Sequence, residues 1–166
     1  MAQIKLKGNP INTCDSLPAV GTKAADFKLT KTDLSDVGLK DFAGKTIVLN
    51  IFPSIDTPVC AASVRYFNQE IAKRDNTVVL CVSMDLPFAH SRFCGAEGLE
   101  DVISVCEMRS KAFGEFYGVR IVDGPLAGLF ARAVIIIDGN GVITYTQLSP
   151  EIVEEPDYDA VIKALD

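Results

Sequence analysis

The stretch KTIVLNIFPSIDTPVCAASVRYFNQE (residues 45–70) decides the fold. Its opening segment, KTIVLNIF, is apolar and β-branched with no helical period, which reads as a buried strand. A proline-flanked turn follows, and from Thr57 the pattern changes. Thr57 is an N-cap residue type, Pro58 suits the first helical position, and Cys60, Val64, Phe67 and Ile71 recur at helical spacing. Together these predict a helix over about residues 58–73. A strand that feeds a helix through a short turn is the unit from which parallel sheets are built.

The same alternation continues outward. NTVVLCVSM reads as a second buried strand, PFAHSRFC as a helix opened by Pro87, DVISVCE as a third strand and SKAFGEFYGV as a short helix. LFARAVIIIDGNGVITYTQL then switches to a hairpin turning at Asp138–Gly141, and EPDYDAVIKAL closes as an amphipathic helix. Upstream, DFKLTKT reads as a strand and QIKLKGNPINT as a hairpin turning at Gly8, Asn9 and Pro10. Repeated βα units followed by a β-hairpin and a helix imply an α/β fold with a mixed central sheet covered by helices on both faces, the thioredoxin-like pattern. Neither a Ser/Gly linker nor a repeat interrupts the chain, so residues 1–166 are expected to form one domain.

Composition excludes several classes. The 166 residues carry a net charge of -6, with 16 Lys and Arg scattered along the chain, which argues against a nucleic-acid partner. No apolar run exceeds the five residues of AVIII, far short of the roughly 20 residues that span a bilayer, and the N-terminal segment MAQIKLKGNP lacks a continuous apolar signal core. A cytoplasmic location is expected, with no membrane association. Five cysteines, Cys14, Cys60, Cys81, Cys94 and Cys106, are an odd number, which fits free thiols with one functional pair better than a disulfide framework. With C-x-x-C absent, a cysteine zinc site is not expected, and the glycines of DGNG form a turn rather than a phosphate loop. No cofactor or metal is called for.

Cys60 carries the chemical interest. Counting from Thr57 as N-cap, with its hydroxyl accepting from a free backbone N–H, Cys60 is the third helical residue. A sulfur there lies near unpaired amides and the positive end of the helix dipole, an environment that stabilises thiolate. Asp56 opposes this unless its carboxylate points elsewhere. The bland reading is that Cys60 is one more residue of the apolar stripe, and spacing alone leaves both readings open. Arg132 interrupts the apolar run LFARAVIII: it is either an exposed strand-end cation or a buried one that needs an anionic partner. His90, the single histidine, reads as a surface helical residue rather than a general base.

The segment PSIDTPVC contains P-x-x-x-T-x-x-C, the peroxidatic-cysteine signature of peroxiredoxins, and it is followed by VVLCVSMDLPFAHSRFCGAEGL, YGV, DGPLAGLFARAV and EPDY. Over essentially its whole length the chain resembles the thiol peroxidases, the Tpx subfamily of atypical two-cysteine peroxiredoxins. That resemblance implies that Cys60 attacks a hydroperoxide and becomes sulfenic acid. It further implies that Arg132 is the active-site cation, that Pro53 shields the sulfur from bulk water, and that Cys94 is the resolving thiol forming an intramolecular Cys60–Cys94 disulfide. Thioredoxin is the implied reductant and a homodimer the implied assembly, with organic hydroperoxides favoured over hydrogen peroxide as substrate.

Ionisation alone raises the reactive fraction of a thiol by only about thirtyfold at neutral pH, so an efficient peroxidase also needs groups aimed at the peroxide oxygens. Thr57 and Arg132 are the candidates. Cys81 and Cys106 sit in strand segments and are expected to be inert, while nothing near Cys14 indicates a role. Cys60 at a helix start and Cys94 at a helix end lie on different elements, so bridging them is expected to need local unwinding. Two alternatives stand beside the peroxidase: a thiol-disulfide oxidoreductase, disfavoured because residue 57 is Thr where C-x-x-C would place its first sulfur, and a non-enzymatic binding module of the same fold.

Overall fold

The computed structural model describes residues 1–166. In chain order the elements are the strands β1 (Gln3–Leu6), β2 (Asn9–Asn12), β3 (Leu29–Lys31) and β4 (Asp36–Val37), then a 3₁₀ turn at Leu39–Phe42. Next come β5 (Thr46–Ile51), α1 (Pro58–Tyr66) with a π-helical continuation at Phe67–Ile71, β6 (Thr77–Ser83), α2 (Pro87–Glu97), β7 (Ile103–Cys106) and α3 (Ala112–Phe116). β8 (Ala133–Ile137), β9 (Ile143–Leu148) and α4 (Tyr158–Leu165) complete the chain. The main sheet has seven strands in the order β4-β3-β7-β6-β5-β8-β9. β5, β6 and β7 pair in parallel, and the flanking pairs are antiparallel, so the thioredoxin-like mixed sheet is as the alternation predicts.

β5 is buried on both faces, which is why its sequence lacks the polar alternation of a half-exposed strand. Ile47, Leu49 and Ile51 join one core with Leu80, Val82, Phe113, Tyr117 and Phe130. Val48 and Phe52 join the other with Cys60, Val64, Phe67 and Ile71 from α1 and its continuation, together with Cys81, Val134 and Val161. On that second face Tyr66 of α1 stacks on Tyr158 of α4, with ring centroids 3.8 Å apart. A third, smaller cluster, Ile4, Ile11, Ile121, Ala131 and Ile152, seats the β1–β2 hairpin against the body of the protein.

Four details differ from the sequence reading. The first hairpin turns at Lys7 and Gly8, with φ of 50° and 82°, so Asn9 and Pro10 belong to β2. A two-residue turn with both residues left-handed matches the twist of the strands, and the Glu151 carboxylate accepts from both turn amides at 2.9 Å. β4 is a two-residue strand, too short to leave a pattern. α2 runs through Cys94 and Gly95 to Glu97, and the left-handed cap is Gly98 (φ 66°), so Cys94 lies in the last turn rather than at the helix end. His90 is fully buried, its ring edge-on to Phe52 at 6.3 Å, because α2 turns Ala89, His90 and Phe93 toward the sheet and leaves Phe88 64% exposed.

Candidate active site

Cys60 is fully buried in the first turn of α1, which begins at Pro58 after an extended Thr57. The antiparallel pairing of β5 with β8 sets Ile51 opposite Ala133, and so brings Arg132 to the end of β5 from which the Cys60 loop departs. Arg132 is 2% exposed. Its Nε and Nη2 donate to the Ile152 carbonyl at 3.0 and 2.8 Å, and Nη2 also donates to Cys60 Sγ at 3.3 Å. Of the two readings open for Arg132, burial beside an ionisable sulfur is therefore the one observed. Arg132 Nη1 is buried without a hydrogen-bond partner.

Thr57 is the N-cap residue, but it does not cap. Its hydroxyl donates to the Ser54 carbonyl at 3.0 Å, three residues back, instead of accepting from a helix amide. The Thr57 oxygen is left with acceptor capacity at the protein surface. Asp56 points away from the sulfur and pairs with Arg92 of α2 at 2.6 Å. Pro53, Thr57 and Arg132 line one cavity of about 220 Å³, whose other walls include Leu6, Leu126, Leu129, Ile152 and Val153.

Cys94 faces a different and larger cavity, about 510 Å³, between the β3–β4 turn, the end of α2 and β7. Its Sγ lies 3.4 Å from Ser104 Oγ, and burial pushes its thiol up from the ordinary value. Of these two cavities, the smaller alone presents Thr57 and Arg132. All five cysteines are free thiols, so Cys60 and Cys94 are not joined in this structure. Cys81 and Cys106 are buried in strands, and burial pushes their thiols up to about 12 and about 11. Cys14 is half-buried, with Sγ donating to the Gly114 carbonyl at 3.4 Å, and burial raises its pKa too.

The sequence reading anticipates Pro53, Thr57, Cys60 and Arg132, and the fold brings these together. It misses the Ile152 carbonyl that anchors Arg132, because any residue type supplies a carbonyl. It also misses the apolar wall, assembled from residues as distant in sequence as Leu6 and Val153. Among the described residues no group of His, Cys, Asp and Glu is arranged to hold a metal ion.

A family model described as redoxin matches residues 19–162. The chain is 56% identical to the thiol peroxidases of Mycobacterium bovis and Mycobacterium tuberculosis over 165 residues, covering 99% of this chain and of each of theirs. Among solved structures it is similar to a peroxiredoxin-like protein from Aquifex aeolicus, with a TM-score of 0.92 and 38% identity over 98% of this chain and 95% of that one. A thiol peroxidase from Chromobacterium violaceum shares the fold at a TM-score of 0.91 with 20% identity, over 99% and 96% of the two chains.

Proposed function

This chain belongs to the redoxin family and, within it, to the thiol peroxidases, which makes it a thiol-dependent peroxidase; from that premise we propose that Cys60 is the peroxidatic thiol and Cys94 the resolving one. The observation that carries the assignment is the Arg132–Cys60 contact at the edge of an apolar cavity. A guanidinium whose orientation is fixed by the Ile152 carbonyl is a preorganised cation, and its unpartnered Nη1 is a donor for the oxygen that leaves. Because the Thr57 proton is committed to Ser54, the Thr57 oxygen accepts the peroxide O–H and orients it. Pro53 closes one side against water.

In the first step the Cys60 thiolate attacks the terminal oxygen of R–O–O–H. The O–O bond breaks, Cys60 becomes S–OH, and the departing alkoxide takes a proton from solvent to give the alcohol. In the second, the Cys94 thiol displaces that hydroxyl, forming the Cys60–Cys94 disulfide and water. A dithiol of the thioredoxin type then reduces the disulfide to two thiols and is itself oxidised. The second step requires α1 and α2 to open at Cys60 and Cys94, since Cys60 is fully buried in the first turn of α1, Cys94 sits in the last turn of α2, and bridging needs Cα atoms within about 7 Å.

We read residues 1–166 as one domain and, from the apolar wall, organic hydroperoxides as the preferred substrates. Leu86 and Phe88, 54% and 64% exposed at the start of α2, support pairing with a second copy of the chain, which the mass in solution at micromolar concentration tests. The decisive experiment treats the reduced protein with one equivalent of organic hydroperoxide and counts thiols. Two of the five should disappear and map to a Cys60–Cys94 peptide. Five remaining thiols, or a bridge between other residues, would refute the assignment.

A further inference from the structure

The loop that delivers Pro53 and Thr57 to the cavity is anchored from outside α1. Asp85, between β6 and α2, places a carboxylate against it: Oδ1 accepts from the Ser54 hydroxyl at 2.8 Å, and Oδ2 accepts from the Ile55 amide at 2.7 Å and from the Ser83 hydroxyl at 2.6 Å. Ser83 is fully buried, and its Oγ lies 2.9 Å from His90 Nε2 on α2. Ile55 is 1% exposed, so without Asp85 its amide would lose this acceptor in a buried setting. Ser54 in turn accepts the Thr57 hydroxyl through its carbonyl. One carboxylate thus fixes a path from the sheet to the cavity: Asp85 to Ser54, Ser54 to Thr57, with Cys60 one helical turn beyond.

We propose that Asp85 is a positioning residue for peroxide reduction, holding the Ser54–Ile55 turn so that Thr57 and Cys60 face Arg132 in the arrangement that O–O cleavage needs. Asp85 does not line the cavity, so it acts through the loop and not on the peroxide. It also has the opposite relation to the second step. Forming the disulfide requires the start of α1 to leave its place, and a group that holds the loop resists that departure. Loss of the carboxylate therefore slows sulfenic acid formation without slowing disulfide formation. A residue needed only for folding would impair both.

The inference rests on Cys60 being the peroxidatic thiol, and the test separates the two claims. In a Cys94→Ser background, quenched-flow mass spectrometry follows oxygen addition at Cys60 with an organic hydroperoxide, while iodoacetamide alkylation of Cys60 at the same pH reports thiol reactivity independently. If the parent adds no oxygen at Cys60, the assignment of that thiol fails and the inference with it. With a reactive parent, Asp85→Ala should oxidise about 100-fold more slowly, the scale of an ångström-sized misplacement, and be alkylated within about threefold of the parent. Asp85→Asn keeps an acceptor for the Ile55 amide and a donor toward Ser54, and should recover to within about tenfold. With Cys94 present, the Asp85→Ala sulfenic acid should close to disulfide at least as fast as wild type. Oxidation of Asp85→Ala within about threefold of the parent, or alkylation falling in step with oxidation, would overturn the inference. If Asp85→Ala does not fold, Ser54→Ala removes the Oδ1 arm, together with the Asp56 amide's contact to Ser54 Oγ at 3.2 Å, and keeps the Oδ2 arm on the Ile55 amide. Slower oxidation with unchanged alkylation then supports the role, and unchanged oxidation refutes it.

Discussion

Arg132 contributes geometry as well as charge. Its fork holds the Ile152 carbonyl with two N–H groups while reaching Cys60, which a single ammonium cannot do. Arg132→Lys should therefore slow sulfenic acid formation by about 10²–10³, the cost typical of losing one preorganised donor at a developing charge. Quenched-flow kinetics in the Cys94→Ser background checks this, and a rate close to that of the parent would show that charge alone suffices. Cys94 is separable from Cys60 by consequence. Cys94→Ser should leave the first step fast, strand Cys60 as sulfenic acid and lower thioredoxin-coupled turnover. Intact mass should then rise by one and later two oxygens as further peroxide carries Cys60 up the oxidation ladder. Equal turnover of Cys94→Ser and wild type would exclude Cys94 as the resolving thiol.

At the scale of elements, the β1–β2 hairpin lies outside the main sheet yet supplies Leu6 to the cavity wall, with Glu151 holding its turn. Leu6→Ala should raise KM for a bulky organic hydroperoxide by about tenfold, the scale of lost apolar contacts in a pocket, and change hydrogen peroxide reduction little. Steady-state assays with both substrates decide it; equal effects would mean that Leu6 serves only the hairpin. The elements were legible where the information is local. β5, α1 and the β8–β9 hairpin each carry their own period or turn residues, and Cys60 is placed by its distance from Thr57 and Pro58. α2 was less legible, because Leu86 and Phe88 are apolar and exposed while His90 is buried, so its pattern points no single face inward. The hydroxyl of Thr57 departs from its residue type for a similar reason. An N-cap residue type predicts an acceptor, but the turn at Ser54 offers its hydroxyl a carbonyl first.

For the molecule as a whole, burying His90 ties stability to pH. Burial holds its imidazole below the ordinary 6.5, opposed by the carboxylates of Asp85 and Asp56. The unfolded chain therefore binds a proton that the folded one refuses: this stability is complete above about 6.5 and is lost as pH falls through the folded value. Thermal melts should show wild type losing Tm more steeply than His90→Gln as pH drops below 6.5, and parallel curves would contradict the sign. The stacked pair Tyr66–Tyr158 has a different bearing. The chain contains four tyrosines and no tryptophan, so its ultraviolet emission is tyrosine light that no indole quenches by energy transfer. One of those phenols ends the helix that begins beside Cys60 and rests on the closing helix, so the protein carries an intrinsic optical reporter. The opening of α1 proposed for disulfide formation should therefore change this emission, which fluorescence reads without an attached dye.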